Sequence, residues 1–110
     1  MKLPNAARAS VDIAKLRDYC LDTTHPEGRH KARVFQSALG ISSEDAEFLR
    51  GAILGAVAGA DAVAGDSDIY GARYLVDFEL RRESKQATIR TVWIVRRTED
   101  FPRLLTCYVL

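Results

Sequence analysis

RYLVDFELRR, residues 73–82, is the stretch on which the fold turns. Tyr74, Val76, Phe78 and Leu80 alternate with Leu75, Asp77, Glu79 and Arg81, the period of a strand with one face buried and the other in water. Downstream the same period continues. ESKQ is a polar hairpin connection, ATIRTVWIVRR (87–97) predicts a second strand within 86–97, and RLLTCYVL over 103–110 predicts a third after the turn TEDFP.

Upstream the spacing is helical. In 11–21, Ile13, Leu16, Tyr19 and Cys20 recur at three and four residues, with Ser10 placed to cap. The turn-rich DTTHPEG delivers the chain to a second helix over 29–39, closed by Gly40. Ser42 followed by Asp45 forms a capping-box pattern, opening a third helix with Ala46, Leu49, Ile53 and Val57 on one side. Gly51, Gly55 and Gly59 lower its propensity, and their spacing of four suits the close approach of another backbone. AGDSDIYG then reads as the break before the sheet. The expected fold is α+β: one domain, 1–110, with N-terminal helices packed on one face of a C-terminal antiparallel sheet of three to four strands.

Composition bounds the function. The chain has 110 residues, 47% of them hydrophobic and 28% charged, as in ordinary globular proteins. Sixteen Lys and Arg stand against 15 Asp and Glu, so overall charge will not hold the protein to nucleic acid, and phosphate binding has to be local. The N-terminal stretch lacks the apolar core of a signal peptide. GAILGAVAGADAVAG is too rich in Ala and Gly, and is broken by Asp61, to span a bilayer. A cytoplasmic location with no membrane partner is the expectation. Cys20 and Cys107, which lack metal-ligand spacing, read as buried free thiols. No Gly-rich phosphate loop, paired-Cys zinc spacing or Gly-x-Ser-x-Gly elbow is present, so no metal and no cofactor is called for.

The chemically unusual stretch is EGRHKARVF, residues 27–35. Arg29, His30, Lys31 and Arg33 crowd a helix start, where the partial positive charge of unpaired N–H groups disfavours cations and favours anions. On a helical wheel Lys31 falls in the apolar sector of Ala32, Phe35, Ala38 and Leu39, whereas His30 and Arg33 lie opposite. Lys31 must therefore snorkel past the helix end or point into a polar gap between helix and sheet. His25, before Pro26, reads as a turn residue.

In the second strand Ala87, Ile89, Thr91, Trp93 and Val95 share one face, and Thr88, Arg90, Val92, Ile94 and Arg96 the other. Thr106 and Tyr108 alternate together on the third strand, so one face is expected to present Thr91, Trp93, Thr106 and Tyr108 side by side. Asp77 and Glu79 read as cross-strand ion-pair partners of Arg81 and Arg90.

LPNAARA, HPEGRHKARVF, YGARYLVDFEL, TVWIVR and DFPRLLTCYVL together resemble a family of short bacterial domains of unknown function, over nearly the whole chain. The resemblance implies a small protein encoded beside another small protein, or the C-terminal module of a larger toxin-like chain. A fainter resemblance, at the level of fold, is to the compact ribonuclease toxins of the barnase, colicin and relaxed-control kind. It implies metal-independent RNA cleavage in a phosphate pocket between the second helix and the sheet. His30 would move the proton, Lys31 and Arg90 would neutralise phosphorane charge, and Thr91 and Tyr108 would complete the catalytic set. Arg29, Arg33, Trp93 and Thr106 would hold the substrate RNA. The contrasting reading is a non-enzymatic module of a bacterial two-protein system that binds a small partner or inhibitor protein, with Trp and Arg as interface anchors.

Overall fold

The computed structural model describes residues 1–110. The layer changes between Val57 and Ala62, ahead of the change of period near residue 70. Helical elements occupy the first half: Ile13–Lys15 (α1), running on into a π turn over Leu16–Cys20, then Arg29–Leu39 (α2) and Ala46–Val57 (α3). Four strands follow, Ala62–Ser67 (β1), Gly71–Arg82 (β2), Lys85–Arg96 (β3) and Pro102–Val109 (β4). They form one antiparallel sheet in the order β1-β2-β3-β4. The result is the expected α+β arrangement.

Register explains why the helices lie on one face only. The rows Val76–Thr91–Cys107, Tyr74–Trp93–Leu104 and Phe78–Ile89–Val109 cross the sheet on the side facing Leu16, Cys20, Phe35, Leu39, Leu49, Ile53 and Val57, and one continuous core joins them. Trp93, Phe35 and Leu16 are fully enclosed there. The alternate rows, Asp77–Arg90–Tyr108, Leu75–Val92–Thr106 and Arg73–Ile94–Arg103, turn to the opposite face across β2 and β3, while at the β4 edge Thr106 and Tyr108 still meet Cys20 and Lys31 of the helical layer.

Several local expectations change. Ser10 does not cap α1: Asp12 does, accepting from the Ala14 N–H at 3.0 Å. Ser10 instead pairs with the outer edge of β4, donating to Pro102 O and accepting from Leu104 N. β1 falls largely within a stretch assigned to a break, because Val63-Ala-Gly-Asp-Ser has almost no apolar alternation. It is an edge strand exposed at every position but Ala62, so nothing demands a hydrophobic pattern. The hairpin connection is only Glu83–Ser84.

The α3 glycines are not docking points. A Cβ at Gly51, Gly55 or Gly59 would meet no atom within 4 Å. The capping box does form, with the Ser42 N–H donating to Asp45 Oδ2 at 2.9 Å, although a 3-10 turn, Ser43–Asp45, precedes α3. Arg82, at the end of β2, fastens this corner by donating to Gly40 O and to Asp45 Oδ1, each at 2.9 Å. None of the helices is long and apolar enough to cross a membrane.

Candidate functional site

The densest chemistry lies along the edge strand β4, where the π turn and the start of α2 meet it. Gly28 makes the meeting close: a Cβ there would collide with the Tyr19 carbonyl oxygen, so only glycine lets α2 begin against the π turn. His25 settles the N-terminal end of α2. Its Nδ1 accepts from the N–H groups of Glu27 and Gly28, both at 3.0 Å, and its ring stands edge-on to Tyr19 with centroids 4.8 Å apart. Arg29 turns back to donate to the Pro26 carbonyl. The cations at this helix start are therefore partly offset by lone pairs supplied from the preceding turn.

Lys31 sits where the helical wheel places it, on the packed side of α2. Its ammonium lies 5.1 Å from the Tyr108 ring centre and 6.0 Å from that of Tyr19, so two aromatic rings flank the charge. Each tyrosine is the chain neighbour of a cysteine. Cys20 and Cys107 are both fully buried and free, and Cys20 Sγ is 3.9 Å from Thr106 Oγ1. Hydrogen bonding from the Cys107 thiol, with help from the Thr106 hydroxyl and the Lys31 charge, outweighs burial and holds Cys20 down to about 7. Cys107, the donor of the pair and itself buried, is pushed up.

The remaining candidate residues divide between the two faces of the sheet. Thr91 and Trp93 are sealed in the core, where Thr91 Oγ1 donates to Val76 O and accepts from Trp93 Nε1, both at 2.7 Å. Arg90 is on the opposite face in a two-pronged pair with Asp77, at 2.9 and 2.8 Å, as the cross-strand reading expects. That pairing, with Tyr108 adding to it, raises the guanidinium above its usual value. Glu79 bonds Gln86 and Thr88 rather than an arginine, and Arg81 bonds Gln86.

Thr106 and Tyr108 stand opposite Val92 and Arg90, whereas Thr91 faces Cys107, so the four-residue face of Thr91, Trp93, Thr106 and Tyr108 does not form. A register shift between Val92 and Trp93 adds one residue to β4, which simple alternation between strands cannot anticipate. His30 and Arg33 are exposed on the outer side of α2. Of the expected catalytic set, Lys31 and Arg90 each neighbour Tyr108. His30 and Thr91 do not join them.

A model of the family described as Domain of unknown function (DUF6883) matches residues 2–110. The chain belongs to this family. No curated protein and no solved structure matches it. The family description assigns no chemistry to the DUF6883 domain, so function has to be argued from the arrangement of its side chains.

One surface cavity of about 140 Å³ is found, lined by Ser10, Asp12, Lys15, Arg96, Arg103, Leu104 and Leu105. None of the nine residues singled out in the sequence lines it. Arg103 is committed there to Glu99 at 2.7 Å, and Asp12 caps α1. These residues come from two distant parts of the chain, which the Ser10–β4 pairing and the Arg8–Asp100 ion pair hold together. No group of three or more His, Cys, Asp or Glu side chains is assembled.

Proposed function

We propose that this DUF6883 domain works by binding a second, small protein on the face of its sheet that carries no helices. The observation carrying this reading is the row Val63–Leu75–Val92, in direct cross-strand register on that face. Val63, at its outer end on the edge strand β1, is 64% exposed. Charged rows flank it: Asp77–Arg90 on one side, and Arg73 and Arg103 on the other, with Arg73 held by Asp68 and Arg103 by Glu99. An apolar stripe bordered by charges already paired is what a protein interface requires, since paired side chains carry less ordering cost into the complex. At the corner joining β1 to β2, Ile69 and Tyr70 are also exposed, at 77% and 67%. The partner is a protein with a complementary apolar strip, seated across β1, β2 and β3.

The ribonuclease reading draws less support. A general base needs a proton acceptor beside the phosphate-binding cations. Here His30 lies in solvent, Thr91 is in the core, and Arg90 is occupied by Asp77.

The decisive measurement is calorimetric titration with a small protein encoded beside the domain, the kind of partner that the family resemblance implies. Val63→Lys is expected to weaken binding by roughly tenfold or more, the loss typical of removing an interface anchor. Val34→Lys, the same change on the outer surface of α2, should leave affinity unchanged. Equal effects of the two substitutions, or RNA cleavage by the wild type that His30→Ala removes, would overturn the reading.

A further inference from the structure

We propose that Cys20 and Cys107 form a peroxide-oxidisable dithiol site, which closes to a disulfide tying the helical layer to the edge strand β4. The inference does not rest on the partner-binding reading, because it concerns two buried thiols where the helical layer meets the β4 edge, not the Val63–Leu75–Val92 stripe. Three features of geometry carry it. The two thiols belong to elements far apart in sequence, yet they share one sealed part of the core, with Cys20 against the residue that precedes Cys107. The Lys31 ammonium is held between Tyr19 and Tyr108, the chain neighbours of the two cysteines, so a fixed positive charge faces the pair. Cys20 also ends a five-residue π turn, Leu16–Cys20, a backbone form that is rare and recurs at functional positions.

The elements around Cys20 supply no competing charge. Lys31 comes from α2, and Cys107, Thr106 and Tyr108 from β4. Asp45 on the 3-10 turn is paired with Arg82, and Arg50 on α3 donates to Val11 O. His25 stands against Tyr19 with Nδ1 occupied by backbone N–H groups. Cys20 is thus the nucleophile, held down to about 7 by its hydrogen bonds and the ammonium, and Cys107 stays a thiol. Thr106, in contact with Cys20, is itself half-buried, so a direct neighbour of the sulfur reaches the surface.

The oxidant class is a small hydroperoxide. The Cys20 thiolate attacks one peroxide oxygen, the O–O bond breaks, and the departing hydroxide takes up a proton as water, leaving Cys20 as a sulfenic acid. The Cys107 sulfur then attacks the Cys20 sulfur. Its S–H proton leaves with the sulfenic hydroxyl as a second water. Two thiols lose two electrons in total, and one hydrogen peroxide becomes two waters.

The experiment treats the folded chain with hydrogen peroxide and follows intact mass, free thiols after denaturation, and melting temperature. The expected product has lost two hydrogen atoms, has no free thiol and melts higher, and thiol reductant reverses all three changes. The oxidation rate should climb about tenfold per pH unit and level off above about 7. Lys31→Met keeps the aliphatic bulk and both cysteines, and should move that midpoint upward. Lys15→Met should not. Cys20→Ser should abolish the disulfide, and Lys31→Met keeps the proposal testable if that variant fails to fold. Two thiols still free after treatment, separate over-oxidation of each cysteine, or reaction only in denaturant that unfolds the chain would overturn the site.

Discussion

Thr91 shows how one side chain changes meaning with its environment. The ribonuclease resemblance makes it part of a catalytic set, but in place it is a fully buried linker between the Val76 carbonyl and the indole N–H of Trp93. Replacing it by valine preserves shape and leaves the Trp93 N–H enclosed without a partner. That loss should cost about 1–3 kcal/mol in chemical denaturation, with the denaturant slope unchanged, whereas Thr91→Ser should retain most of the stability. A valine variant as stable as the wild type would mean that water reaches the indole. Lys31 is the converse case. The helical wheel places its ammonium on the packed side of α2, but neither Tyr19 nor Tyr108 is close in sequence, so the aromatic pair that accommodates it is visible only in three dimensions.

Among the elements, α2 and α3 differ in what their glycines and caps do. Gly40, at φ 65°, closes α2 in the left-handed conformation that the sequence reading expects of it. Gly51 and Gly55 face open space in mid-helix and contribute no contact. Each change to alanine should therefore raise stability by roughly 0.5–1 kcal/mol, because alanine orders the helix at lower entropic cost and meets nothing. Thermal melts of Gly51→Ala, Gly55→Ala and the double variant check this, and a loss of stability in either single variant would reveal a neighbour at that surface. α2, β2, β3 and β4 were legible in the sequence because each buries one face, and burial writes its period into the residues. β1 was not, since an exposed edge strand has no side to hide. The β4 bulge was not either, for one added residue reverses which side chains share a row and leaves no mark on composition. The candidate site suffered most from this: alternation put Tyr108 beside Thr91, whereas register puts it beside Arg90.

For the molecule as a whole, near balance of charge goes with extensive pairing. Arg82–Asp45, Arg73–Asp68, Arg90–Asp77, Arg103–Glu99 and Arg8–Asp100 lock helices, turns and strands to one another. Asp45, Asp68, Glu99 and Asp100 are each held below the usual carboxylate range. The leading cause is the arginine hydrogen bond for Asp45, Glu99 and Asp100, and the Tyr70 N–H for Asp68. The sign follows directly. A carboxylate more acidic in the folded chain binds fewer protons there than in the unfolded chain, so its contribution is complete above the unfolded value and is lost as pH falls through the folded one. Melting temperature should accordingly be flat from about pH 5 to 7 as far as these groups are concerned, and should fall steadily below about pH 4. Added salt should shrink the fall, because most of these pairs are open to solvent and screened. Asp45, at 24%, is more enclosed than Asp68, Asp77 and Asp100, and it serves both Arg82 and the Ser42 N–H. Asp45→Asn should lower stability at neutral pH and, having no carboxylate to protonate there, lose less than the wild type on acidification. Parallel acid profiles for the two proteins would show that the Asp45–Arg82 pair does not couple protonation to folding.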